Sequence, residues 1–424
     1  MFQVVQPETV GLSSERLQRV SRWMAQQVSG ERLAGLSVLV HRRGQVAFSE
    51  CAGEMDVEAG KPLQDDTIFR IYSMTKPITA VAAMMLYEEG CFQLDDPIAS
   101  YLPEFNDMQV WAGGEPGQIR TVPAEAPITV RHLFTHTAGL TYGFMEATAV
   151  DAYYRDHKIE FNPGSGSLAD VVKRLADAPL LCQPGSQWNY SVAIDVLGRL
   201  VEVWSGMSLE QFFESRILQP LGMADTAFHV ADSKLDRFAA LYSPVDGSKL
   251  QVNAPQAFAR DTRGRGLKLI DAPDESTYTR PASVFSGGGG LTGTMADYAR
   301  FCQMLLRGGE LDGVRLLSRK TVEFIASNHL PEGNDMAALG QPIWSETSTD
   351  GIGYGLGMAV TLNPAQAQVM GSVGEYHWGG AASTGFWIDP AEDMFVVLMT
   401  QLMPSSAYPL RRELRVLTYQ SIID

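Results

Sequence analysis

The chain has few cysteines and no pattern among them. Only four occur in 424 residues, Cys51, Cys91, Cys182 and Cys302, and no two form a Cys-x-x-Cys pair. That scatter excludes the spacing of a structural zinc site and a dense disulfide framework. Positive charge is also scarce: 33 Lys and Arg stand against 49 Asp and Glu, giving a formal charge of -16 and a pI near 4.9. Nucleic-acid phosphates and anionic membrane surfaces attract basic proteins, so neither is expected as a partner. No stretch reaches the roughly 18 uninterrupted apolar residues of a membrane span. The opening Met1-Phe2-Gln3-Val4-Val5-Gln6-Pro7-Glu8 has no basic stretch leading into a long apolar run, so no secretory signal is expected. A reducing, cytoplasmic location fits these absences.

The remaining composition, 45% apolar and 19% charged, is that of an ordinary globular protein long enough for two or more cores. Ser13 stands as an N-cap before Leu17, Val20, Met24 and Val28 at helical spacing, up to Gly30. Leu36 to His41 and Gln45 to Phe48 read as two strands around Arg42-Arg43-Gly44. Helical patterns follow at Thr79 to Glu89, Thr129 to His136, Leu168 to Ala178, Ala193 to Trp204 and Leu209 to Leu218. Residues 229–284 show no period, and a stretch of that length is expected to be a flap-like segment over the site or a surface excursion. Strand patterns return at Leu356 to Leu362, Thr384 to Ile388 and Phe395 to Thr400. Leu410, Leu414 and Leu417 mark a closing amphipathic helix. The expected organisation is an α/β sheet domain from residues 1–70 plus 285–424, with a mostly helical domain, 71–284, inserted.

Ser73-Met74-Thr75-Lys76 lies where a helix begins, with Pro77 in its first turn. Residues three apart share a helix face, so the Lys76 amine can reach the Ser73 hydroxyl. A serine hydroxyl is a weak nucleophile until a base takes its proton, and burial in an apolar helix favours an amine's neutral, basic form. The helix N-terminus adds partial positive charge where an oxyanion would develop. Tyr190, at a loop-to-helix junction, can relay a proton. His377-Trp378-Gly379-Gly380 adds a glycine turn whose backbone can approach a reacting carbonyl closely.

These three elements, in this order, resemble the serine β-lactamase and penicillin-recognising family, closest to the class C-like family VIII carboxylesterases. Ile128 to Leu140, Phe285 to Leu291 and Gly353 to Gly357 are similar to runs in that family, and the likeness extends over roughly residues 10 to 420. The resemblance implies a β-lactamase-like fold, an antiparallel sheet flanked by helices, and no cofactor or metal. It implies Ser73 as the acylated nucleophile, Lys76 as its base and Tyr190 in proton transfer. The backbone N–H groups of Ser73 and Gly380 would hold the oxyanion, with His377, Trp378 and Gly379 beside the substrate. Tyr142 and Trp188, with other aromatics flanking the motifs, are candidates for lining an apolar pocket.

Two departures from the lactamase pattern matter. The second motif reads Tyr190-Ser191-Val192 rather than Tyr-x-Asn. The third reads His377-Trp378-Gly379, or Trp378-Gly379-Gly380 after a one-residue shift, rather than Lys-Thr-Gly. Histidine is mostly neutral at pH 7 and holds a carboxylate less well than lysine. Both changes favour neutral, small-molecule esters. The alternatives are β-lactamase or D,D-peptidase activity, acyl transfer from the same acyl-enzyme, or a catalytically silent binding protein. A homo-oligomer stays open.

Three other patterns lead nowhere. Gly288 to Gly293 has G-x-G-x-x-G spacing but no βαβ unit around it. His132 and His136 lie four apart without the glutamate of a zinc-protease motif. Gly-x-Ser-x-Gly, the nucleophile elbow of α/β-hydrolases, does not occur.

Overall fold

The computed structural model describes residues 2–162, 165–245, 266–340 and 349–424. Helix α1 (Ser14–Ser29) begins where the Ser13 hydroxyl accepts the Arg16 N–H at 3.3 Å, and Gly30 ends it. Strands β1 (Gly35–Arg42) and β2 (Gln45–Asp56) follow, joined through Arg43 and Gly44, both at positive φ. Such a turn matches the twist of its flanking strands. Every residue of β1 is buried, in keeping with its near-continuous apolar sequence.

The two-residue strand β3 (Lys61–Pro62) is an edge, and five more strands come from the other end of the chain. These are β4 (Ile352–Tyr354), β5 (Ala359–Thr361), β6 (Tyr376–Gly379), β7 (Gly385–Asp389) and β8 (Met394–Thr400). All eight form one sheet in the order β4-β5-β6-β7-β8-β1-β2-β3, with every neighbouring pair antiparallel. The join between the chain ends is the β1–β8 ladder, in which Val38 stands opposite Leu398.

Side chains alternate across a strand, so each face of the sheet takes its own helices. The main ones are α2 (Thr75–Glu88), α3 (Ala193–Ser205), α4 (Met295–Leu306) and α5 (Leu410–Tyr419). Val38, Val40, Trp387 and Leu398 share one core with Leu17 of α1 and Leu414 of α5. Leu39, Phe386, Val397 and Met399 face a larger core that contains α2, α3 and α4. Helix α2 is buried from Thr75 through Leu86, which puts it inside the protein rather than on a surface. Each fully buried side chain such as Ile78 or Met84 contributes about 1.5–3 kcal/mol.

Two expectations need correction. The single strand read at Leu356 to Leu362 is a hairpin: β4 and β5 flank a turn closed by Gly355 N–H to Met358 O at 2.7 Å. Gly357 sits in that turn at φ +89°, with Ala80 of α2 so near that a Cβ would come within 2.6 Å of it. The stretch 229–284 is not wholly irregular, since Leu241–Pro244 pairs with Leu267–Asp271 and Tyr242 and Leu269 join the α1/α5 core. Residues 246–265, the middle of the expected flap, lie outside the described residues. Among the described residues, no helix is long and apolar enough to cross a membrane.

Candidate active site

The short strand Ile68–Arg70 runs into a 3-10 turn, Tyr72–Met74, from which α2 continues. Tyr72 lies at φ +42°, a strained conformation for a bulky residue, and this sharp bend presents Ser73 to a cavity of about 140 Å³. One turn on, Lys76 is completely buried. Its Nζ lies 3.1 Å from Ser73 Oγ and donates to the Tyr142 hydroxyl at 3.1 Å and to the Gly288 carbonyl at 2.6 Å. The Tyr190 hydroxyl donates to Ser73 Oγ at 2.5 Å. The structure thus brings Ser73, Lys76 and Tyr190 into one hydrogen-bonded group and adds Tyr142 to it. Burial, with Tyr190 and Asp195 nearby, pushes the Tyr142 phenol well above its ordinary range, so it stays protonated.

An aromatic wall holds Tyr190 in place. Its ring lies 5.6 Å from that of Trp378 and 6.3 Å from that of Trp188, and Tyr354 meets Trp378 edge-on at 5.2 Å. Trp188 is 1% exposed and packs behind Tyr190, so it supports the site rather than lining it as expected. His136 is buried beside the same ring, 5.0 Å away, with Nδ1 3.1 Å from Ser191 Oγ. Burial holds its imidazole neutral, far below the usual histidine range. His132 instead accepts the Thr129 N–H at the start of its own helix. Each histidine is engaged separately.

The β6 segment fits one of the two registers open in the third motif and requires one correction. Successive residues of a strand face opposite ways, and Trp378 is the one that meets Tyr190. His377 lies on the α5 face opposite Trp387, with Nδ1 3.3 Å from Glu375 Oε1. Burial lowers the His377 pKa and keeps the ring neutral, while Glu375 pulls the other way. The register in which Trp378-Gly379-Gly380 forms the third motif therefore fits the geometry. The correction concerns Gly380, whose N–H donates to the Thr384 carbonyl at 2.9 Å and is committed within the β6–β7 hairpin. Ala381 comes next, as the first central residue of a turn closed by Ser383 N–H to Gly380 O at 3.1 Å, a position whose own N–H the turn does not use. Ala381 borders the same cavity as Ser73, as do His377, Trp378, Gly379 and Gly380.

A family model described as Beta-lactamase matches residues 20–420. The chain belongs to the Beta-lactamase family. Within that family it is 33% identical over 387 residues to Esterase EstB of Burkholderia gladioli, with 88% of each chain covered. It is 29% identical over 361 residues to Lovastatin esterase of Penicillium rubens, covering 82% of this chain and 83% of that relative. Among solved structures it superposes on EstCE1, described as a hydrolase with promiscuous acyltransferase activity. The TM-score is 0.76 at 28% identity, covering 96% of this chain and 98% of that one.

The Beta-lactamase-family site also contains groups that motif reading missed. Asp195 of α3, wholly buried, accepts from Ser286 Oγ at 2.5 Å and from the Gly288 N–H at 3.0 Å. Burial pushes its carboxyl up, while Lys76, Ser286 and Gly288 pull it down. The glycine run that mimics a dinucleotide fingerprint is thereby pinned as the wall over Lys76, and a Cβ on Gly288 would run into Asp195 Oδ2. A lone aspartate within the apolar sequence Ala193-Ile194-Asp195-Val196-Leu197 was the available signal, since a buried charge needs partners. Among the described residues, no cluster of His, Cys, Asp and Glu could hold a metal.

Proposed function

We propose that the protein is a carboxylesterase, a serine hydrolase that cleaves small-molecule esters through an acyl-enzyme on Ser73. The observation that carries this reading is the contact of Ser73 Oγ with both Lys76 Nζ and Tyr190 Oη at the wall of a cavity. A neutral lysine amine has two N–H groups and one lone pair. With the N–H groups on Gly288 O and Tyr142 Oη, the lone pair is directed to the Ser73 proton. Lys76 takes that proton as Ser73 Oγ attacks the ester carbonyl, and the resulting oxyanion meets the backbone N–H groups of Ser73 and Ala381. Tyr190 gives its hydroxyl proton to the departing alcohol and regains one from Lys76, whose Nζ lies over its ring, so the proton taken from Ser73 leaves with the alcohol. Water then repeats the sequence with the roles reversed, freeing the acid.

The groups around Ser73 favour neutral esters. Val192 stands where a lactamase has an amide and Trp378 where it has a lysine, so a β-lactam would lose two polar contacts. Transfer of the acyl group to an alcohol is the second reading, supported by the likeness to EstCE1. All four cysteines are free thiols, which supports a reducing compartment such as the cytoplasm.

The test is labelling with a fluorophosphonate, read by intact mass. The native enzyme gains one adduct, and Ser73→Ala gains none while keeping its melting temperature. An adduct on Ser73→Ala would end this reading. Turnover of p-nitrophenyl esters beside nitrocefin ranks esterase above lactamase, and faster nitrocefin cleavage would reverse that order.

A further inference from the structure

One side chain, which also borders the cavity at Ser73, clamps the β6–β7 hairpin. Arg411, in the first turn of α5, donates from Nη2 to the Gly380 carbonyl at 2.8 Å and to the Thr384 carbonyl at 2.7 Å. Its Nε adds a third hydrogen bond, to the same Thr384 oxygen, at 3.1 Å. Gly380 and Thr384 are the residues that close the turn. The guanidinium reaches them across the cross-strand pair Gly379 and Gly385, where there is no side chain in the way. A Cβ on Gly379 would come within 2.5 Å of the guanidinium carbon, and one on Gly385 within 2.9 Å of Nε. Neither glycine has a positive φ. Their backbone conformation suits any residue, so what requires glycine there is room for the arginine.

Helix stability does not account for Arg411. A cation in the first turn faces the positive end of the helix dipole. What the position does provide is a grip on one particular peptide unit. The Gly380 carbonyl and the Ala381 N–H are the two ends of the same planar trans amide, pointing in opposite directions. A guanidinium on the oxygen fixes the plane and draws electron density toward it, so the N–H at the far end becomes a better donor.

We propose that Arg411 is a positioning residue for ester cleavage, orienting and polarising the Gly380–Ala381 peptide so that the Ala381 N–H is ready for the oxyanion formed at Ser73. The inference rests on the proposed acyl-enzyme mechanism. Its physical content is preorganisation: a donor fixed beforehand does not have to move when charge develops.

The experiment compares Arg411→Ala, Arg411→Lys, Gly385→Ala and Ala381→Pro with the native enzyme, measuring melting temperature, and kcat and KM on neutral and anionic p-nitrophenyl esters. Proline suits the first central position of a turn and removes only the N–H. Arg411→Ala is expected to lower kcat by about tenfold to a hundredfold, with KM changed by less than about twofold. Added guanidinium, well below denaturing concentrations, restores part of that loss, and ammonium does not. Arg411→Lys stays slow because one ammonium cannot span both carbonyls. Gly385→Ala keeps the arginine but displaces its guanidinium, and kcat falls in the same direction. Unchanged kcat in Arg411→Ala overturns the proposal. So does a loss that follows melting temperature and ignores guanidinium, or a KM rise confined to anionic esters. The Ala381→Pro arm separates the two levels: native kcat there sinks the oxyanion reading itself, whereas a slow Ala381→Pro beside a normal Arg411→Ala sinks only the role of Arg411.

Discussion

Lys76 Nζ lies 2.6 Å from the carbonyl oxygen of Gly288, closer than it comes to Ser73 or Tyr142. A carbonyl can only accept, so this contact takes one N–H of the amine and helps turn the rest of it toward the nucleophile. The position of Gly288 in turn depends on Asp195.

Replacing that carboxylate tests the dependence. Asp195→Ala leaves the Gly288 N–H and the Ser286 hydroxyl buried without their acceptor, at a cost of about 1–3 kcal/mol. Melting temperature should fall accordingly, and kcat with it, because the wall over Lys76 is released. Native-like kcat in a destabilised variant would separate Asp195 from the chemistry.

Lys76→Met and Tyr190→Phe should each lower kcat by about a hundredfold to ten-thousandfold, the usual range for losing an acid–base group. Lys76→Met should also slow fluorophosphonate labelling, since the base acts before the adduct forms. Both variants should fold, because each substitute fills the same buried space. Unimpaired labelling of Lys76→Met would remove the lysine from the mechanism.

Gly380 tolerates no side chain. A Cβ there would meet Thr384 Oγ1 and come within 2.5 Å of the Ile71 carbonyl, two residues before Ser73. Gly380→Ala must shift either the hairpin or the strand leading to the nucleophile. A stability loss of about 1–3 kcal/mol is expected, with a kcat loss exceeding what unfolding explains. Thermal melts and turnover on the same preparation would show it, and a variant with native values of both would contradict the close approach.

Acid should weaken the fold through His41. Its ring is 3% exposed and stacked 4.4 Å from that of Phe395, and burial, reinforced by Arg307, lowers its pKa to about 4. An unfolded histidine titrates near 6.5. Between those values the unfolded chain binds a proton that the native one refuses. Stability is therefore full above about pH 6.5, falls as pH drops toward about 4 and levels off below, by on the order of 3 kcal/mol for this group. His132, also depressed to about 4, acts in the same direction. His41→Phe keeps the stack without the titration and should show a shallower loss of melting temperature. Equal slopes would refute the assignment.

Much of this site is legible in the sequence because helix spacing is a local property. Ser73 and Lys76 are three residues apart, so their meeting follows once a helix is inferred, and Pro77 and the apolar run beyond it support that inference. The β1–β2 hairpin and the strands β7 and β8 are equally local patterns. The alternation of β6 was harder, since a one-residue shift in a strand exchanges its two faces. Sequence alone leaves both His377-Trp378-Gly379 and Trp378-Gly379-Gly380 open, and the ladder to β7 places Trp378 against Tyr190. The short β4–β5 hairpin was invisible for a related reason: three-residue strands show no period, and their turn is dictated by contact with Ala80 of α2. Asp195, Ser286 and Arg411 lie far from Ser73 in the chain, and only tertiary packing brings them to it.

The position of β8 has a consequence for how the enzyme comes into being. The strand that fills the gap between β7 and β1 is made long after β1, and α5 with its arginine follows it. Until then the nascent chain carries two unpaired edges, the kind of surface that draws in other chains. The sheet cannot close before residues 394–400 are made, and cells making the protein rapidly should benefit from chaperones that shield those edges until then.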